Sequence, residues 1–523
     1  MTTKSNVLKL LFYRNYHIFT VILCLCLQQI FVYNHYLNIP QDSDVGCFMA
    51  IGQGINHGKI LYKDIWDNKA PGIFFIHSFF QTISFRSPNY PLFIQIFFST
   101  IYSFIFIFTL RSTARHTAFI SSAILFCTSS YFVQTQWPYF YTGGFTEEIG
   151  TYILISSFCL FYTSNCNSIN SNICNKILFI LSGLFFGLAI LIKEPFIFCY
   201  FAFIGLSLIM PGDSKAKFRK LFSFSIWSAI PTLLFLSYLL INNAFFNYIN
   251  YINFATHYAT KNTDLISDYL AKIQNLLLQE NTYNFKIIIL ISVFVFNFIY
   301  QASKKNKNHL SLIFQGAFLL SVTTIPMFLL GGIPYGHYYI PFILCLQNLL
   351  VYILNHLTIY FSDKKYYKLN IGILMSLLLS SYFLIKSEIE FRGNAMTVDK
   401  ELRVLNFPYL KKSNCYIDDQ TAGRFNFYYN CSSKIKFTCP YYVYFLEEHS
   451  SNIGDSLIQK NKRIFSNQFL SSPPEFILAK HEFSIAFEND SLKSYIYKNY
   501  DDVDSFYLVN NQYFIKKHKK NSL

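Results

Sequence analysis

The chain has 523 residues, of which 53% are hydrophobic, 20% aromatic and only 14% charged. That balance lies outside the usual soluble range, and the apolar residues arrive in blocks rather than with a period of 3.6 or 2, so the sequence predicts an integral membrane protein. The formal net charge of +15 would suit a nucleic-acid binder if it covered one surface, but it falls in clusters between apolar blocks, and no nucleic-acid partner is expected.

In chain order, apolar segments cover 17–36, 91–110, 117–133, 147–163, 177–192, 195–210, 221–241, 287–301, 310–330, 340–360 and 369–385. Each is close to the roughly 20 residues that a bilayer core requires, which gives about eleven transmembrane helices. A cytoplasmic N-terminus places Lys4, Lys9, Arg14, Arg111, Arg115, Lys176, "SKAKFRK" (214–220), "KKNK" (304–307) and "DKKYYK" (363–368) inside. The alternate loops 134–146 and 331–339 hold no Lys or Arg, as the bias of basic residues toward the cytoplasm demands. The first span reads as a retained anchor, because no small-residue cleavage site follows it. An odd number of spans sends 387–523 outside as a polar domain, leaving 1–386 as the membrane module.

The first external loop, 37–90, contains "DSDVGCFMAIGQGINHGKILYKDIWDNKAPG" from Asp42 to Gly72, with four aspartates and three lysines. The following segment, 71–85, is short for a span and carries His77 and Gln81, so it is expected to lie at the interface or re-enter the membrane. The other external stretches are 134–150, "IKEPF" (192–196), 242–286 and "GGIPYGHYYIP" (331–341). Any active face therefore points outward.

Acids at the mouth of a helix bundle are costly unless hydrated or paired, which makes each a candidate. Asp44 reads either as a solvated loop carboxylate or as a general base. Glu147 and Glu148 open a span, where acids favour the positive end of the helix dipole whether or not they also act on a substrate. Lys69 and Lys193 stand near the outer boundary, placed to snorkel or to hold a phosphate. His337 and Tyr338 lie in an external turn before a late span. No spacing of His, Cys, Asp or Glu identifies a metal site, so the metal ligands are unknown, no cofactor is certain, and a divalent metal stays open. The twelve cysteines form no C-x-x-C pair; Cys199 and Cys345 read as apolar filler, and Cys415, Cys431 and Cys439 suit a disulfide whose pairing the sequence does not choose.

Asp44, Gly46, Phe48, Gly52, Ile55, Gly58, Tyr62, Asp64, Trp66, Asp67, Lys69, Pro71 and Gly72, with "GGFTEE" (143–148), "KEP" (193–195) and "GHYYIP" (336–341), resemble the GT-C fold glycosyltransferases that use polyprenyl-phosphate sugars. The resemblance is to the bacterial group related to protein O-mannosyltransferases and lipid A aminoarabinose transferases, and it covers about the whole chain. It implies a polytopic α-helical GT-C module with a C-terminal external α/β domain, in the bacterial inner membrane, with that domain periplasmic. It further implies two surface helices in the first loop, Asp44 as catalytic base with Glu147 as the second acid, and Lys69 on the donor phosphate. Lys193 is a further candidate for that phosphate, and Asp64, Trp66, Asp67, Glu148, His337 and Tyr338 are candidate substrate contacts. The implied reaction moves one sugar, with inversion, from undecaprenyl phosphate to a lipid, glycan or protein acceptor. Val45 replaces the second acid of the mannosyltransferase pair, and Asn68 stands where the aminoarabinose transferases place an acid that can bind metal. Two rivals predict other features: an O-antigen polymerase or ligase, an Arg-rich loop between late spans, and a transporter, inverted repeats with acids at the bilayer midplane.

Overall fold

A computed structural model describes residues 4–37, 43–67, 69–84, 90–111, 116–136, 144–166, 172–260, 309–326, 336–362, 414–417, 452–480, 490–508 and 511–519. The chain opens with α1 (Lys4–Leu37), α2 (Ser43–Asn56), α3 (Pro71–Ile83), α4 (Tyr90–Arg111), α5 (His116–Gln136), α6 (Thr146–Cys166) and α7 (Asn172–Ile192). A 3₁₀ helix (Glu194–Cys199) leads into α8 (Tyr200–Ile209), followed by α9 (Ser214–Ile241), α10 (Phe245–Thr260), α11 (His309–Thr323), a 3₁₀ turn (Gly336–Tyr339) and α12 (Ile340–Ser362).

Among the described residues three helices are long and apolar enough to cross a membrane: Tyr90–Arg111, Ile173–Ile192 and Ser214–Ile241. Their outward residues are apolar, with Phe97, Phe108, Ile177, Leu233, Leu234 and Leu240 all exposed. Water would penalise so large an uncovered apolar surface, whereas lipid does not. Helices also occupy most of the other expected segments, but 287–301 and 369–385 lie outside the described residues. The segment expected as one helix over 195–210 begins instead as a 3₁₀ helix. Pro195 cannot donate to the preceding turn, so α7 does not run on through it.

α6 packs against α7 and α4, α7 against α9, α1 against α5 and α4, and α12 against α5 and α11. The α6–α7 contact carries a reciprocal pair, Ser157 Oγ donating to the Ser182 carbonyl at 2.7 Å and Ser182 Oγ returning to the Ser157 carbonyl at 2.9 Å. Between α1 and α5, Gln28 donates to Ser130 Oγ at 3.0 Å, and Tyr102 on α4 donates to Asn348 of α12 at 2.6 Å. Such bonds add direction where packing alone would let apolar helices slide.

Near the C-terminus four strands form a sheet in the order β1-β2-β4-β3, with β1 (Cys415–Ile417), β2 (Phe476–Lys480), β3 (Tyr500–Leu508) and β4 (Asn511–His518). β1 and β2 run parallel, so their connection has to cross over, and α13 (Asn452–Ser471) lies in it. Tyr416, Phe465 and Phe469 pack this helix on the sheet, and α14 (Asp490–Asn499) adds Leu492 and Ile496 to the same core. The expected boundary at 386/387 lies outside the described residues. Of the three cysteines expected to supply a disulfide, Cys415 is buried on β1, and Cys431 and Cys439 lie outside the described residues. Cys47, 1% exposed on α2, is disulfide-bonded.

Candidate active site

The first loop folds into two helices, α2 and α3, joined by a compact turn. Pro71 starts α3 at its first position, where a missing N–H costs nothing. α3 is fixed from inside: Gln81 Nε2 donates to the Met49 carbonyl at 2.6 Å and to the Tyr90 hydroxyl at 2.7 Å. The Tyr90 hydroxyl also lies 2.8 Å from His77 Nδ1, within hydrogen-bond reach. Burial pushes His77 down to about 3, which keeps the imidazole neutral. His77 and Gln81 thus hold α3 between α2 and α4.

The turn between α2 and α3 presents Lys69. Asp64 Oδ2 accepts the Ile60 N–H at 2.9 Å, and Asp67 Oδ1 accepts the Lys69 N–H at 3.1 Å. Trp66 is buried edge-on against Phe254 of α10, 5.0 Å between ring centres. Asp64 is exposed, whereas Asp67 is 1% exposed beneath the lysine. Lys69 Nζ reaches Asp44 Oδ2 at 3.2 Å, pairing the turn with the first turn of α2.

A second pair stands beside the first. Lys193, at the end of α7, places Nζ 2.6 Å from Glu147 Oε1 at the start of α6 and 4.8 Å above the Tyr338 ring. Burial works against the Lys193 charge, but Glu147 more than offsets this and holds the ammonium above its usual range. Lys69 lies close enough to oppose it. Gly72 lets the two pairs approach: a Cβ there would lie 2.8 Å from the carbonyl carbon and oxygen of Leu191, so α3 meets the end of α7 main chain to side.

Glu148 turns the other way, into the bundle, and accepts three bonds. Gln95 and Tyr152 each donate to Oε1 at 2.8 Å, and the Gly144 N–H donates to Oε2 at 2.9 Å. Gly144 has φ +82°, and a Cβ on it would sit 3.0 Å from Val45 Cγ2. Glu148 therefore shapes the turn that presses on the residue after Asp44.

Asp44, Lys69, Glu147, Lys193 and Tyr338 thus meet at one end of the bundle, with Asp67 and Trp66 beneath the turn. Asp64 and Glu148 have local partners of their own. His337 belongs to the 3₁₀ turn, and its side chain lies outside the described residues. Among the described residues, no three His, Cys, Asp or Glu gather as metal ligands. Tyr62 and Glu194 entered the sequence reading only as parts of motifs, Tyr62 in the first loop and Glu194 in "KEP", and Tyr251 was not singled out at all, since nothing in "NYINYINF" marks it.

No family model matches the chain, and no curated protein matches it. Solved structures do. ArnT from Cupriavidus metallidurans, bound to undecaprenyl phosphate, is similar with a TM-score of 0.55 at 9% identity, over 95% of this chain and 97% of that one. The Archaeoglobus fulgidus oligosaccharyltransferase tethered with an acceptor peptide matches at 11% identity and a TM-score of 0.47, over 96% of this chain and 74% of that one. At 9% identity the likeness to ArnT is one of architecture. With its helical bundle and the full-length match to ArnT, the chain has the GT-C fold.

Proposed function

We propose that this protein is a membrane glycosyltransferase that moves one sugar, with inversion, from undecaprenyl phosphate to a lipid, glycan or protein acceptor on the outer face of the bacterial inner membrane. The observation that carries the reading is the pair of lysine–carboxylate contacts, Asp44–Lys69 at 3.2 Å and Glu147–Lys193 at 2.6 Å, gathered from four separate helices and turns. Two ammonium groups side by side suit a phosphate, and two carboxylates beside them suit a proton acceptor. An apolar cavity of about 240 Å³ supports a lipid-borne donor: Pro71, Gly72, Phe75, Leu191, Leu234 and Phe235 line it, beginning two residues after Lys69.

In the resting site Lys69 neutralises Asp44. A donor phosphate competes for the ammonium and leaves the Asp44 carboxylate able to accept a proton. The acceptor hydroxyl then loses its proton to Asp44 while its oxygen bonds the anomeric carbon. The bond from that carbon to the phosphate oxygen breaks, and the phosphate departs with the electron pair. Lys69 and Lys193 stabilise the charge that builds on it in a site shielded from bulk water. Glu147 keeps Lys193 charged and in place, and the Tyr338 ring supports the same cation.

Membranes containing the wild type or D44N, given a panel of radiolabelled undecaprenyl-phosphate sugars, test this. Wild type should move label to an acceptor, and D44N should lose at least about 10²-fold in rate, the lower range for a general base. Wild type that consumes no donor would defeat the transferase reading. Transfer surviving in D44N would move the base to Glu147.

A further inference from the structure

Tyr62 is a buried aromatic residue with φ +65°, in the left-handed region that a tyrosine rarely adopts. Its N–H donates to the Ile65 carbonyl at 2.7 Å, closing the turn, and its hydroxyl donates to the Lys69 carbonyl at 2.8 Å. Such a backbone conformation is strained and persists only where the surroundings over-determine it. Here they do: the ring stacks on Tyr251 of α10, 4.7 Å between centres with planes 28° apart, and packs at 5.3 Å on Tyr248 and 6.4 Å on Phe235.

Tyr251 continues the connection. It is 1% exposed, and its hydroxyl donates to a Glu194 carboxylate oxygen. Burial first, and then the Glu194 charge, holds its phenol well above the usual range, so it remains the donor. Glu194 follows Lys193 directly and begins the 3₁₀ helix, for which Lys193 is the N-cap. A path of two stacked rings with a hydrogen bond at each end therefore runs from the main chain of Lys69 to the residue after Lys193.

We infer that Tyr62 and Tyr251 are positioning residues: a rigid brace, anchored on the Lys69 carbonyl and the Glu194 carboxylate, that sets the spacing of the two lysines so that both meet one phosphate. The inference rests on the proposed donor chemistry and extends it, because neither tyrosine touches the reacting atoms. α10 thereby has a task, supplying the Tyr251 half of the brace.

The test uses Y62F and Y251F, which keep both rings and the stack and remove only the terminal hydrogen bonds. Binding of undecaprenyl phosphate alone to the detergent-solubilised full chain is measured for each. One lost hydrogen bond of typical net worth predicts weakening by about 2–10-fold. The decisive arm repeats Y62F in a K69A background and Y251F in a K193A background. A residue that acts through its lysine adds no further loss there, whereas one that merely packs costs the same in both backgrounds, which would overturn the brace. Amine labelling of Lys69, followed by mass spectrometry, separates this inference from the functional one. If wild type binds no undecaprenyl phosphate, the donor reading fails, yet the brace still predicts faster Lys69 labelling in Y62F than in wild type. Unchanged labelling in Y62F, with or without lipid binding, overturns it.

Discussion

Replacing Gly72 by alanine tests the closest approach in the site. A Cβ at residue 72 would stand 2.8 Å from both the carbonyl carbon and oxygen of Leu191 and 3.0 Å from Ile192 Cγ1, against 3.4 Å for ordinary contact. Two of the three obstacles are main chain in the last turn of α7, which no rotamer change relieves. α3 therefore has to retreat from α7 by roughly half an ångström, at an overpacking cost of about 1–3 kcal/mol. Lys69 precedes α3 and Lys193 ends α7, so the same movement separates the two ammonium groups. Since about 1 Å of misplacement can cost 10²-fold in rate, about tenfold is expected in kcat/KM for G72A. The assay is transfer from an undecaprenyl-phosphate sugar, read beside the thermal midpoint of the purified protein. Trimming the side-chain obstacle in G72A/I192A should recover little, because the carbonyl of Leu191 remains. G72A with wild-type kcat/KM and Tm, or full rescue by I192A, would refute the argument.

Removing one member of the Glu147–Lys193 pair should hurt more than removing both charges. K193M strands a carboxylate that is 1% exposed, at a cost of about 3–5 kcal/mol, and K193M/E147Q should regain most of that Tm; no regain refutes the pairing argument. His77, held near 3 when folded and near 6.5 when unfolded, contributes stability that is complete above about pH 6.5 and lost as pH falls toward 3. At pH 5 the loss from this group is about 2 kcal/mol. Chemical denaturation at pH 7 and pH 5 should show it, and H77Q should flatten the difference; an equal slope in both proteins would contradict it.

The membrane class, most of the helices and the candidate residues that the structure gathers were legible in the sequence, because apolar blocks and the spaced residues of the first loop are local patterns. Their pairing was not. Nothing local joins Asp44 to Lys69 across α2, or Glu147 to Lys193 across two helices, since those distances depend on how α3 meets α7. α10 was hidden for a different reason. Its Tyr248, Tyr251 and Phe254 are turned inward while Phe246, Ile249 and Ile252 are turned out, so apolar and aromatic side chains lie on both sides of the narrow row of Asn247, Asn250 and Asn253 and no broad polar face marks a surface helix. The positive φ of Tyr62 was equally unreadable, because Gly or Asn is what usually announces such a turn. The 3₁₀ helix at Glu194–Cys199 was missed because an apolar run such as 195–210 does not distinguish a 3₁₀ start from an α-helical one.

α7 has a consequence beyond packing. Its 21 residues rise about 30 Å, close to the hydrocarbon thickness of a bilayer. The final turn supplies the Leu191 carbonyl against which α3 rests and the Ala189 carbonyl that takes the Lys193 N–H at 3.0 Å. The helix is thus a gauge as well as a support, and the depth of the lysine is counted off in backbone rise from the opposite end. One residue gained or lost along it would shift Lys193 by about 1.5 Å and swing it by about 100° around the axis. The tolerance of this candidate site is therefore set by the length of α7 itself.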